Sequence, residues 1–190
     1  MTPMFASMSR MTLGLVAVAA IQLGVLGWMV WDRIALLKHG REITLPIIPV
    51  DPRDLFKGDY VRLAFPVSRV PASVIEGERP AANTRFFVTL EKKADGEWVP
   101  VKLAGVRSTD ANPDRITLEA RTRYSQGAGP TFDVVYGIER YYVPEGKGLV
   151  LEDMARDKKL AVVLAVDAKG RAAIKGLVID GKRVYDEPLL

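Results

Sequence analysis

The sequence predicts a mainly β protein: an N-terminal transmembrane helix followed by an antiparallel β-rich domain with one short helix. Three observations predict it. A charge-free apolar run extends from Met11 to Trp31. Beyond Gly40 the apolar residues alternate over short stretches instead of recurring at helical spacing. Turn sequences such as Lys93-Ala94-Asp95-Gly96 and Asp180-Gly181 separate those stretches.

The elements follow in chain order. Residues 1–10 form a short tail, and residues 11–31 read MTLGLVAVAAIQLGVLGWMVW, with Gln22 the one amide. At about 1.5 Å per residue this run spans a hydrocarbon core of about 30 Å. Trp28 and Trp31 stand at its C-terminal end, where amphipathic rings prefer the interface. A cleavable signal peptide has an apolar region of about 7–15 residues. This run is longer and no small-x-small site follows Trp31, so an uncleaved anchor is expected. Gly24 and Gly27 are three apart, which is not the GxxxG spacing of close helix pairs. Residues 32–42 form a juxtamembrane stem, with Ile34, Leu36 and Leu37 expected on or near the membrane and Gly40 ending the helix. Arg33, Lys38 and Arg41 outnumber Arg10 across the span, so charge alone leans toward a cytoplasmic C-terminal domain.

Residues 43–190 make up the β-rich domain. Ile43–Val50 is extended, and Pro46 and Pro49 confine it to a sheet edge. Asp59–Val67 alternates, with Val61, Leu63 and Phe65 on one face. Thr84–Lys92 and Glu97–Val106 flank the 93–96 turn as a hairpin. Arg115–Tyr124 sets Ile116, Leu118 and Ala120 against charged partners, and Phe132–Val143 is a further extended region. Gly146–Arg156 is the one soluble helix expected. A closing hairpin turns at Asp167-Ala168-Lys169-Gly170, and Asp180-Gly181 leads into a last short strand through Tyr185.

Composition narrows the function. The 190 residues are 48% hydrophobic and 26% charged, enough for one sizeable core plus an accessory segment. The formal net charge is +4, but Lys and Arg are interleaved with Asp and Glu. That pattern is a solvated mixed-charge surface and argues against a nucleic-acid partner. A mild attraction to anionic lipid head groups is compatible with it. The chain has no cysteine, which excludes disulfides, thiolate metal sites, a Cys nucleophile and a lipidated Cys.

The densest charge lies in VDPRDLFKGDYVRLAF, residues 50–65. Pro52 fixes φ, Asp51 and Asp54 can accept local backbone N–H groups, and Gly58 suits a positive φ. Arg53, Lys57 and Arg62 alternate with Asp51, Asp54 and Asp59, so a local ion-pair network accounts for the charges without any substrate. The stretch PVDPRDLFKGDYVRLAF resembles the signature of the GDYXXLXY family of bacterial membrane-anchored proteins. Here it stands as Gly58-Asp59-Tyr60, Leu63, and Phe65 in place of the last Tyr. The blocks YGIERYYVPEGKG (Tyr136–Gly148) and AAIKGLVIDGK also resemble the family, so the likeness runs from about Ile43 to the C-terminus. It implies an N-terminally anchored protein of the bacterial inner membrane whose C-terminal domain is periplasmic, against the charge lean. It also implies genetic association with multi-pass membrane proteins, and no defined activity.

Catalytic constellations are weak. Leu55-Phe56-Lys57-Gly58-Asp59-Tyr60-Val61 resembles the second half of the motif of signal-peptidase-like proteases, but no Ser lies between Gly40 and Val67 to serve as nucleophile. The one His, His39, adjoins the membrane segment, away from any triad. Arg53 and Lys57 among Asp51, Asp54 and Asp59 would repel a cation, so no metal and no cofactor is expected. Glu139 and Glu145 read as solvated charges more readily than as an acid/base pair. The expected function is therefore non-enzymatic: an envelope accessory or assembly protein that binds a multi-pass membrane partner. A diverged hydrolase of the signal-peptidase type and a small-ligand or cell-wall sensor stand as alternatives. The expected contact residues are Arg53, Asp54, Gly58, Asp59, Tyr60, Arg62, Arg140 and Tyr141, because Tyr and Arg dominate interface hot spots.

Overall fold

The computed structural model describes residues 10–48, 60–110, 112–122, 124, 129–142 and 160–186, with backbone alone for residues 10, 60–62 and 141–142. One helix, α1 (Arg10–His39), carries the apolar run and the stem as far as His39 without a break. It is long and apolar enough to cross a membrane once. Leu13, Leu15, Ile21, Leu23, Trp28 and Trp31 are exposed along it, the kind of surface a bilayer covers.

The chain divides after Ala35, so the last turn of α1 belongs to the β-rich unit. Leu36 and Leu37 are buried there against Ala165 and Ala173. The stem reading expected them on or near the membrane; they are covered by the protein itself. Burial on the two small alanine side chains satisfies their apolar surface within the protein. The helix ends at Gly40, whose N–H donates to the Leu36 carbonyl at 2.8 Å.

Among the described residues eleven strands follow: β1 (Arg41–Pro46), β2 (Tyr60–Arg62), β3 (Arg69–Pro71), β4 (Arg85–Lys92), β5 (Trp98–Ala104), β6 (Arg115–Arg121), β7 (Thr131–Asp133), β8 (Arg140–Tyr142), β9 (Leu160–Val166), β10 (Ala172–Ile179) and β11 (Lys182–Asp186). A four-stranded sheet runs β1-β9-β10-β11 and a three-stranded sheet β5-β4-β6, with two-stranded ribbons β2-β8 and β3-β7. All these pairings are antiparallel. Backbone bonds stitch the sheets together: the Glu119 amide donates to Gly170 at 2.7 Å, and Arg121 and Val135 exchange bonds at 2.7 and 2.9 Å.

Local chemistry sets these elements. β1 carries Pro46 and lies at a sheet edge, as proline requires. β9, LAVVLAV, is central and nearly continuously apolar, since both of its edges are paired and most of its side chains are buried. β6 buries Ile116, Leu118 and Ala120 in alternation. The turns at 93–96 and 167–170 repeat one design. Gly96 and Gly170 adopt φ of 88° and donate their amides to the Lys93 and Asp167 carbonyls. The Asp95 side chain accepts the Glu97 amide just past the first turn, and the Asp167 side chain accepts the Lys169 amide within the second. Asp180 and Gly181 both have positive φ between the paired residues Ile179 and Lys182, the geometry of a two-residue hairpin. One core cluster joins the sheets through Leu45, Phe65, Phe86, Val88, Leu118, Phe132, Val162 and Leu164. Phe86 and Phe132 meet edge to face, with centroids 5.8 Å apart.

Two expected strands are shorter than their sequence pattern. Tyr60–Arg62 pairs as a strand, and the chain then keeps its alternation only as a bridge at Ala64 before Pro66 opens a single 3-10 turn. The extended region 132–143 is two strands, β7 and β8, separated by a turn at Gly137. β3, which pairs with β7, lies in a stretch where no strand was expected. The helix expected over 146–156 lies outside the described residues, as does the turn over 51–59.

Candidate functional site

The two motif-bearing segments meet. β2 pairs with β8 in the register Tyr60 to Tyr142, Val61 to Tyr141 and Arg62 to Arg140. The Leu63 amide continues the ladder by donating to the Glu139 carbonyl at 2.9 Å. Four of the expected contact positions, Tyr60, Arg62, Arg140 and Tyr141, thus stand on one ribbon. Arg53, Asp54, Gly58 and Asp59 lie outside the described residues, as does Glu145.

The turn that feeds β8 is held by its own side chains. The Tyr136 and Gly137 amides donate to the two oxygens of the Glu139 carboxylate at 2.6 and 3.0 Å. A carboxylate accepting two backbone N–H groups is a strong local lock. Gly137 has φ of 82°, which a side chain would resist. The Tyr136 ring is buried, and its hydroxyl donates to the Val67 carbonyl at 2.7 Å. Burial pushes this phenol far above its ordinary pKa, and the Glu139 charge adds to the shift. It is therefore a fixed donor near neutral pH and no proton shuttle.

These contacts sort the motif residues. Leu63, Phe65 and Val67 are buried on one side of their segment, and Tyr136 and Ile138 are buried on the facing one. Phe65 is a core ring, only 2% exposed, so its position uses the aromatic body. Glu139 is a turn lock, which its spacing of three from Tyr136 and two from Gly137 could have signalled and which a reading as solvated charge missed. The Tyr136–Val67 bond had no sequence signal, because it joins segments far apart in the chain. Arg140 is exposed at the end of the ribbon.

Ser68 Oγ is buried without a hydrogen-bond partner among the described residues. Among the described residues no three His, Asp or Glu side chains gather as metal ligands. Next to the turn, a cleft of about 340 Å³ is lined by Asn83, Glu119, Arg121, Tyr136 and Arg171, among others. Its Glu119 is engaged by Arg85 at 2.9 Å and Arg121 at 3.9 Å.

No curated protein and no solved structure matches the chain. A family model described as GDYXXLXY protein matches residues 22–177, from within the apolar helix into β10. The matched stretch contains both strands of the β2-β8 ribbon and the turn locked by Glu139. The chain belongs to the GDYXXLXY family.

Proposed function

We propose that this protein is a single-pass, membrane-anchored accessory subunit of the bacterial envelope, with its β-rich domain in the periplasm. It binds a multi-pass membrane protein through the β2-β8 ribbon and catalyses no reaction. The observation that carries the reading is the pairing of Arg62 with Arg140, which brings the two motif segments onto one two-stranded ribbon. Leu63, Phe65, Tyr136 and Ile138 are accounted for by the core, and Glu139 by the turn. Tyr60, Arg62, Arg140 and Tyr141 on this ribbon are residue types favoured at interface hot spots. Arg53, Asp54, Gly58 and Asp59, which precede β2 in the chain, are the remaining expected contact residues. The membrane helix adds an apolar surface beside which a partner's helices would pack.

The test is purification of the tagged full chain from native membranes in mild detergent, with mass spectrometry of what co-purifies. A stoichiometric multi-pass protein supports the reading. A chain that purifies alone contradicts it. Protease added outside spheroplasts cleaves a periplasmic domain and spares a cytoplasmic one, which checks the orientation separately.

A further inference from the structure

A second surface, whose described lining includes no ribbon residue, carries charge that the fold does not consume. The β9–β10 turn adjoins the end of α1: Arg41 pairs with Val166, and a Cβ on Gly40 would lie 2.9 Å from the Val166 nitrogen. Beside that turn is a cleft of about 530 Å³ lined by Arg85, Arg107, Glu119, Lys169 and Arg171. A second cleft, of about 320 Å³, shares Arg107 and Ala168 with it and reaches His39 and Arg41. The basic lining therefore continues to the residue that ends α1.

The carboxylates here are already committed. Glu119 holds Arg85 at 2.9 Å. Asp167 accepts the Lys169 and Arg171 amides, both at 2.9 Å, and holds the Arg171 guanidinium at 2.7 Å. Asp110 is engaged by Arg115 at 2.7 Å. Arg41 is fixed on the Arg115 and Pro113 carbonyls, above the Trp98 ring. Two exposed cations remain. Among the described residues Lys169 has no carboxylate in ion-pair reach, and the Arg107 guanidinium touches only its neighbour's Ser108 carbonyl at 3.4 Å. Their common cleft suits one anionic group, and the guanidinium suits the geometry of a phosphate.

We propose that Arg107 and Lys169 bind the phosphate of an anionic phospholipid head group. The lipid is favoured over free phosphate by connectivity. α1, which carries a segment long and apolar enough to cross a membrane, ends at His39, and His39 lines the cleft that shares Arg107 and Ala168 with this one. Both cations are thus tethered through the chain to a membrane-spanning segment, which a free-phosphate site does not need. Neither Arg107 nor Lys169 is among the expected partner-contact residues, so this site and the ribbon are tested separately.

The full chain in detergent, titrated with phosphatidylglycerol or phosphatidylcholine and read by native mass spectrometry, tests it. Phosphatidylglycerol is expected to bind in preference. The double variant Arg107→Gln/Lys169→Gln is expected to lose about 25-fold in affinity, at about fivefold per basic side chain near the surface. Both side chains are exposed, and an unchanged melting temperature confirms that the variant is folded. Equal phosphatidylglycerol affinity in native and variant chains overturns the proposal. So does inorganic phosphate that displaces the lipid at equal concentration, which would make this a free-phosphate site.

Discussion

The Leu63 amide and the Glu139 carbonyl, 2.9 Å apart, close the β2-β8 ribbon at the residue whose carboxylate locks the preceding turn. Main chain and side chain of Glu139 thus act together: one holds the neighbouring strand, the other fixes the turn that aims β8. Glu139→Gln keeps one acceptor oxygen and turns an amide toward an amide. The expected cost is about 1.5–3 kcal/mol, because a charged acceptor of two backbone bonds is lost. Chemical denaturation of the full chain in detergent measures it, and a variant as stable as the native chain removes the lock.

Tyr136→Phe keeps the buried ring and deletes the bond to Val67. The Val67 carbonyl then lacks that partner, at an expected cost of about 1–2 kcal/mol. For a domain of this size the melting temperature falls by roughly 2–8 °C.

The same tyrosine gives an alkaline signature. Its pKa is raised by folding, so its contribution to stability is complete below the ordinary value near 10 and is lost as pH rises beyond it. Tyr136 is expected to ionise only when the domain unfolds. Absorbance titration at 295 nm, native against Tyr136→Phe, reads this directly, and Tyr136→Phe removes the delayed step.

At the acid end, Glu42 has a lowered pKa, chiefly through its hydrogen bond to Lys175 and also through Arg183. A lowered carboxylate pKa contributes stability that is present above its ordinary value of 4.5 and is lost as pH falls below it. Melting temperatures across pH 3–7 are expected to drop less steeply below about pH 4.5 in Glu42→Gln than in the native chain.

Gly40→Ala tests the joint between helix and sheet. An added Cβ would meet the Leu36 carbonyl oxygen at 2.5 Å and the Val166 nitrogen at 2.9 Å, both backbone atoms that cannot rotate away. A loss of about 2 kcal/mol or more is expected. Unaltered stability would mean that the helix end has room to shift.

Much of this architecture was legible in residue order. The helix followed from an uncharged apolar run, and the hairpins from Lys93-Ala94-Asp95-Gly96, Asp167-Ala168-Lys169-Gly170 and Asp180-Gly181, where local chemistry dictates the turn. Leu36 and Leu37 misled because an apolar pair next to a membrane span carries no mark of whether lipid or alanine covers it. The break between β7 and β8 was hidden because Val134, Tyr136 and Ile138 keep a strand's alternation while Gly137 and Glu139 fold the chain. At the candidate site, Arg62 and Arg140 were legible as residue types, but their pairing depends on contacts between distant segments that no local pattern encodes.

The central claim is that the β2-β8 ribbon contacts a multi-pass partner, and site-specific photo-crosslinking in native membranes tests it most directly. A photoreactive residue at position 140 is predicted to capture one multi-pass membrane protein, while the same residue at position 180, in the β10–β11 turn, captures none. Equal labelling at both positions, or none at position 140, would contradict the account.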